Sequence, residues 1–295
     1  FDGRGRVVGV SAKVLDEAGR ATGQTANYRA KVVVAADGVS SRLATAVGRP
    51  KREDRVMGVA VRAYYTTPRR DDYLESHLEL WTTDDSGARI LMPGYGWLFP
   101  LEDGRTNVGL GILDTSSAFG KTDYKDVLRR WAQSLGDRWE LAFDPAGGPI
   151  RGAALPMGFN RTPLYADGLL LVGDAAGMVN PFNGEGIDYA LEAARVGADV
   201  IGQALARQSD VGRERALAAY PRIMKHELGG YFTLGRWFAR AIGNPEVMRL
   251  ATTYGLPRTA LMRFLLKVMA NLPEEHGGRL DDRLVHLMSK VVPDA

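Results

Sequence analysis

The residues best placed to do chemistry stand at the ends of two apolar runs. Leu169-Leu170-Leu171-Val172 stops at Gly173-Asp174-Ala175-Ala176-Gly177, and Asn180-Pro181-Phe182-Asn183-Gly184-Glu185-Gly186-Ile187 follows. Ligands of open α/β sheets bind beyond the carboxyl ends of strands, where an aspartate can accept hydrogen bonds from ligand hydroxyls. Gly184 and Gly186 would let backbone approach a flat ring or a phosphate. A helix starting near Glu185 would turn the positive end of its dipole toward that ligand. Read structurally, the same string is a strand–turn–helix connection with glycines for packing. The second run, Lys31 to Ala36, ends in Asp37-Gly38-Val39-Ser40-Ser41-Arg42. Its structural reading is a strand ending in a tight turn before a helix capped by Ser40 or Ser41. A third cluster places Tyr95, Trp97 and Phe99 at i, i+2 and i+4, on one face of a strand, with Gly109-Leu110-Gly111 beyond. Three aromatics on one face make a flat apolar floor, and glycines beside them leave room for a chain to lie across it. The alternative is an ordinary aromatic sheet core.

The elements that must hold these residues follow from periodicity and turn chemistry. The stretch from Val7 to Val14 and the run Lys31 to Ala36 read as strands, the latter buried on both faces. Ser41 to Val47 reads as a short helix. Val56 to Tyr65, Ser76 to Thr82, Gly94 to Pro100 and Thr106 to Leu113 predict an antiparallel sheet, with Asp103-Gly104 as a hairpin turn. Helices are predicted over Asp123 to Leu135, Glu185 to Leu205, Glu214 to Ala239, Glu246 to Tyr254, Arg258 to Leu272 and Asp281 to Val291. The outline is α/β (α+β) with an inserted antiparallel sheet and a helical tail. The expected boundaries are 1–52, 53–150, 151–210 and 211–295.

Composition narrows the classes. The 295 residues carry 38 Lys and Arg against 35 Asp and Glu, a formal charge of +3, which gives no argument for nucleic acid. A hydrophobic fraction of 45% and a charged fraction of 25% exclude a disordered or collagen-like chain. With no cysteine, disulfides, thiolate metal sites and a cysteine nucleophile are excluded, which fits a reducing, cytoplasmic setting. The 35 glycines are about 12% of the chain, above the usual ~7%, so tight turns or close backbone approaches are expected. No run approaches the ~18 apolar residues of a membrane span. Phe1-Asp2-Gly3-Arg4 reads as a polar turn rather than a leader. The four histidines form no metal-ligand cluster in the sequence, so no metal is expected.

The Asp174 string resembles the second FAD fingerprint of glutathione-reductase-type flavoproteins, in the branch holding aromatic hydroxylases and geranylgeranyl reductases. The resemblance implies that Gly173 and Asp174 meet the ribityl chain of FAD, with Pro181, Asn183, Gly184, Gly186 and Ile187 beside the flavin ring. Asp37 and Gly38 match the Asp-Gly motif of the same branch, near the FAD pyrophosphate and the nicotinamide donor. Tyr95, Trp97, Phe99, Gly109 and Gly111 match the aromatic and Gly-x-Gly signature of the geranylgeranyl reductase family, where it lines the isoprenoid pocket. Ser76 to Leu80, Pro93 to Trp97, Asn183 to Tyr189 and Leu261 to Leu272 are most similar to its actinobacterial menaquinone-reducing members. The implied activity is FAD-dependent reduction of a carbon–carbon double bond in a prenyl lipid, with Tyr95 as the candidate for proton handling. The electron donor is left open between NADPH and a reduced carrier. Relatives begin with a strand, a Gly-x-Gly-x-x-Gly turn and a helix. That unit is absent from this sequence, so the chain is expected to be an N-terminally truncated part of a flavoenzyme that binds FAD weakly alone.

Two other readings stay open. A flavin monooxygenase hydroxylating an aromatic substrate shares the Asp37-Gly38 and Gly173-Asp174 motifs, and a non-catalytic lipid-binding domain needs no chemistry at all. Arg258, Arg263 and Lys267 recur among Leu261, Phe264, Leu265, Leu266 and Val268, a basic amphipathic pattern. It suits peripheral contact with the anionic inner face of the plasma membrane, and equally a helix packed on its own domain. No specific protein partner is expected. His77 reads as structural, and Arg62 with Glu79 as a surface pair of little worth.

Overall fold

A computed structural model describes residues 1–269 apart from Asp71, Asp84, Asp85, Pro93, Ser117 and Ala118. The chain opens with an antiparallel hairpin, β1 (Gly9–Leu15) and β2 (Ala21–Arg29). Strand β3 (Val33–Ala35) leads into α1 (Arg42–Ala46). The large antiparallel sheet is built on β4 (Met57–Thr66), joined by β5 (Glu75–His77), β8 (Gly94–Pro100) and β9 (Arg105–Leu113). Between β5 and β8 lies a separate hairpin of β6 (Leu80–Thr83) and β7 (Arg89–Met92). Helix α2 (Tyr124–Ser134) follows, then β10 (Ala142–Phe143) and β11 (Arg151–Pro156), which both pair with β4. The strand order is β10-β4-β9-β8-β5, and pairing by β11 carries this sheet past residue 150 to Pro156.

The polypeptide then returns to β3. Strands β12 (Tyr165–Ala166) and β13 (Leu169–Leu171) complete a three-stranded sheet in which β13 runs parallel to β3. All three leucines of β13 are buried, each burial worth roughly 1.5–3 kcal/mol. Beyond it come α3 (Ile187–Leu205), α4 (Asp210–Leu217), α5 (Ala219–Ile242), α6 (Pro245–Leu250), a π turn over Ala251–Gly255, and α7 (Thr259–Met269). Helix α5 buries Tyr220, Met224, Leu228, Tyr231, Gly235 and Ala239, a stripe at spacings of three and four residues that seats it on the core. This is the mixed α/β arrangement expected from the sequence, with antiparallel sheet and C-terminal helices.

Several expectations are corrected. Strand β3 is not buried on both faces: Val33 and Ala35 enter the core, whereas Val34, pointing oppositely, is 42% exposed. Ser76 to Thr82 is not one strand, because β5 pairs with β8 while β6 pairs with β7, and the ladder breaks at Leu78 and Glu79. Helix α3 starts at Ile187, with Gly186 as its N-cap, rather than at Glu185. Glu214 to Ala239 divides at Ala218 between α4 and α5, and Glu246 to Tyr254 changes from α-helix to π turn after Leu250. The expected helix Asp281 to Val291, and Arg258 to Leu272 beyond Met269, lie outside the described residues.

Candidate active site

The carboxyl end of β13 runs into a 3-10 turn, Gly173–Ala175, which holds Asp174 half-buried. No side-chain hydrogen bond to its carboxylate is formed among the described residues, and burial pushes its pKa up. A Cβ on Gly186 would sit 3.4 Å from Asp174 Oδ1. The strand end and the start of α3 therefore meet. Gly184 has φ +78°, a backbone state that side chains rarely adopt. Asn180 to Ile187 thus forms a bare-backbone turn beside a free carboxylate. Ile187 opens α3 and is 77% exposed.

The Asp37-Gly38 turn lies at the end of the neighbouring parallel strand. Ser41 stands at the N-cap position of its helix, with φ 34°, but its side chain makes no capping bond. Asp37 does that work instead: one carboxylate oxygen accepts the Ser41 hydroxyl at 3.0 Å, and the other accepts the Leu43 N–H at 3.0 Å. The two strand-end loops are tied by Arg161, which the sequence did not mark. Its guanidinium is 2% exposed and donates to the carbonyls of Val39 at 3.0 Å, Ser40 at 3.1 Å and Ala175 at 3.4 Å.

The large sheet supplies the second wall. Residues Gly96 and Leu98 of β8 are buried on its α2 side, where Leu98 shares a core with Leu128 and Trp131. Tyr95, Trp97 and Phe99 project from the other face, half-buried, with Trp97 and Phe99 stacked at 6.1 Å between centroids. Register sets Trp97 opposite Gly109 and Tyr95 opposite Gly111. A Cβ on Gly109 would come within 2.1 Å of the Trp97 ring, so the indole lies directly on bare backbone. Trp97 Nε1 donates to Asn107 Oδ1 at 3.1 Å, fixing the ring. A Cβ on Gly111 would meet only Trp97 Cζ3, at 3.9 Å.

Gly111 and Tyr95 open onto an apolar cavity of about 130 Å³. Leu155, Met157, Pro181, Asn183 and Gly184 line one side; Phe238, Ile242, Met248, Leu256, Met262 and Leu265 come from the C-terminal helices. The lining, apolar with few polar groups, is that of a small-molecule or lipid-chain site. The cavity therefore joins two predicted groups: Tyr95 and Gly111 from the sheet, and Pro181, Asn183 and Gly184 from the turn. Trp97, Phe99 and Gly109 continue the same sheet face outside its lining, and Asp37 and Gly38 do not reach it.

Polar groups are few here and each is placed. The Tyr95 hydroxyl donates to the Asn183 carbonyl at 2.9 Å. Burial, with Glu185 nearby, pushes the Tyr95 pKa up to about 12. Burial and Asp188 also raise Glu185. Asn180, fully buried, donates through Nδ2 toward Tyr189 Oη at 3.1 Å, Tyr231 Oη at 3.1 Å and the Met269 carbonyl at 3.2 Å. Its Oδ1 accepts the Phe182 N–H at 2.9 Å. The turn is thus fastened to α3, α5 and α7 by one side chain.

Among the described residues no group of three or more His, Asp or Glu side chains could hold a metal ion. No described helix is long and apolar enough to cross a membrane.

Comparison with known proteins gives the family. A model of the FAD binding domain family matches residues 7–220. The chain is 35% identical over 241 residues to the menaquinone reductase of Mycobacterium tuberculosis, covering 81% of this chain and 55% of the relative. It is 32% identical over 236 residues to digeranylgeranylglycerophospholipid reductase 2 of Methanopyrus kandleri, covering 77% and 53%. The chain spans about half the length of these curated relatives. A geranylgeranyl bacteriochlorophyll reductase-like protein from Thermoplasma acidophilum shares the fold at TM-score 0.68 and 20% identity, over 98% of this chain and 68% of that one.

Proposed function

The chain belongs to the FAD binding domain family, and we propose that it forms the flavin-facing and substrate-facing parts of a reductase that saturates a double bond in a prenyl lipid. The substrate class is menaquinone or a geranylgeranyl compound, as the names of its relatives suggest. The observation that carries the proposal is the apolar cavity bounded by the Asn183–Gly184 turn on one side and by Tyr95 and Gly111 on the other.

The residues present suit FAD. Asp174 offers a half-buried carboxylate without a hydrogen-bond partner among the described residues, and the turn beside it lacks Cβ atoms at Gly184 and Gly186. Asp174 would accept hydrogen bonds from the ribityl hydroxyls, and Asn183, Gly184 and Gly186 would border the ring. When bound, FAD supplies the hydride chemistry that an unpolarised trisubstituted alkene requires. The chain's own residues do the rest. The N-terminus of α3 presents its dipole to negative charge at the turn. The cavity excludes water and orients an apolar chain against the Tyr95 and Gly111 face. Tyr95 is the candidate proton donor. At a pKa of about 12 it is fully protonated at neutral pH, yet its hydrogen is already engaged by Asn183. Helix α7 sets Arg263 and Lys267 among Leu261 and Leu266, which are 40% and 54% exposed. That face would rest on an anionic membrane from which the substrate enters.

The test is anaerobic incubation of the FAD-reconstituted protein with a reductant and prenyl quinones or geranylgeranyl compounds, read by mass. A gain of two hydrogens is expected. A gain of one oxygen in a parallel incubation under air would establish a hydroxylase instead, and failure of the whole enzyme of which the chain forms these parts to take up FAD would remove both.

A further inference from the structure

A chemically different cluster of side chains adjoins the cavity wall. Leu113, Met157 and Ile242 of that wall pack with Val56 and Ala239 in a small apolar cluster. Arg55 and Arg240 adjoin Val56 and Ala239 in sequence, and Arg236 lies one turn before Arg240 on α5. Arg236 is only 5% exposed. It donates to the Gly158 carbonyl at 3.3 Å and to Thr233 Oγ1 at 2.7 Å, and it has no carboxylate in salt-bridge range among the described residues. The Arg55 side chain is 11% exposed. Its Nε is buried without a hydrogen-bond partner, and its terminal nitrogen stops 3.8 Å from Asp54 Oδ2. Arg240 donates to the Asp54 backbone carbonyl at 3.0 Å.

Acidic groups nearby do not balance these cations. The Asp54 carboxylate is held by both arms of Arg52, at 2.9 and 2.8 Å. Asp114 accepts the Met57 N–H at 2.9 Å and feels Arg240 only through space. Burial, with Arg55, Arg240 and Arg52 close by, pushes the Arg236 pKa down to about 10. Guanidiniums are commonly paired when buried. Here Arg55 and Arg240 meet at Asp54, with Arg236 one turn before Arg240, and the Asp54 carboxylate is already engaged by a fourth arginine.

We infer that Arg55, Arg236 and Arg240 form a binding site for a phosphoryl group, separate from the flavin and prenyl-chain cavity. A phosphoryl group carries up to two negative charges on oxygens that accept the planar forks of several arginines at once. It would satisfy Arg55 Nε and offset the mutual repulsion of the cluster. The donor is either a soluble phosphate ester or a phospholipid headgroup.

The test titrates inorganic phosphate into the full chain at fixed ionic strength, with chloride as the balance, and follows phosphorus NMR line broadening. Saturable broadening is expected, weakened at least tenfold in Arg55→Gln and in Arg240→Gln and unchanged in Arg207→Gln, a control of equal charge. Arg240 is exposed, so Arg240→Gln decides the matter if Arg55→Gln does not fold. Broadening that is absent or non-saturable, or identical in Arg240→Gln, overturns the site. Co-sedimentation with phosphatidylcholine vesicles, with and without phosphatidylglycerol, separates the sources. Pelleting that needs phosphatidylglycerol and is lost in Arg240→Gln assigns a headgroup; phosphate binding without it assigns a soluble ester. No flavin is used, so failure here leaves the reductase proposal standing.

Discussion

Gly111→Val separates ligand binding from folding at the cavity wall. The backbone of Gly111 is not left-handed, and a Cβ there meets nothing nearer than Trp97 Cζ3 at 3.9 Å. Valine suits a strand, with effects of up to ~1 kcal/mol, so the melting temperature should move by only a few degrees. Its three carbons enter the cavity. Each methylene-sized part of a ligand denied burial forfeits about 0.8 kcal/mol. Three forfeit about 2.4 kcal/mol, roughly 50-fold in affinity at ~1.4 kcal/mol per tenfold. The assay is steady-state reduction of a prenyl substrate by the flavin-loaded protein, with thermal unfolding alongside. Because the interaction is made in ground and transition states alike, the loss should appear in KM rather than kcat. Gly109→Ala is the contrast. Its Cβ would fall 2.1 Å from the Trp97 ring, so stability should drop by ~1–3 kcal/mol through overpacking. An unchanged KM in Gly111→Val, at unchanged stability, would refute the placement of the prenyl chain on this face. A fall of more than ~10 °C in melting temperature would refute the open space.

Tyr95→Phe leaves the Asn183 carbonyl without its donor, a loss of ~1–3 kcal/mol in stability; an unchanged single-turnover rate with reduced flavin would remove Tyr95 from proton delivery. Burial raises the Asp174 pKa, so its accepting carboxylate is lost earlier than an ordinary aspartate as pH falls. FAD affinity, followed by flavin fluorescence, should therefore weaken on acidification from above pH ~4, with a flat profile in Asp174→Asn. The same shift acts oppositely on folding: its contribution to stability is present below the ordinary aspartate pKa and is lost as pH rises through the raised one. Asp37→Ala removes the acceptor of Ser41 and Leu43 and should cost ~0.5–2 kcal/mol in denaturant unfolding.

What could be read in advance was local. The alternation of Tyr95, Trp97 and Phe99 placed them on one face, Asp103-Gly104 placed the hairpin, and the leucine run ending at Gly173-Asp174 placed a carboxylate at a strand end. Each signal lies within a few residues of its effect. What could not be read was distant. Arg161 reaches carbonyls 121 and 122 positions away, and an arginine between Asn160 and Thr162 carries no periodicity to announce it. The cap of α1 was sought at the position nearest the helix, but Asp37, six residues before Leu43, provides it. The break at Leu78 depends on which strands lie alongside, and the far wall of the cavity on how α5, α6 and α7 fold back.

The fan of bonds at Asn180 has a dynamic consequence. One amide nitrogen serves Tyr189 of α3, Tyr231 of α5 and the last turn of α7, while its oxygen holds Phe182 of the turn. Opening α7 takes from the buried Tyr231 hydroxyl its carbonyl acceptors at Val268 and Met269, and releasing the turn strips Asn180 of its donor. The Asn180–Gly184 turn and the cavity's helical wall should therefore unfold locally as one cooperative unit. Their amide protons would exchange at a shared rate, and a ligand gripping either part would slow exchange in both.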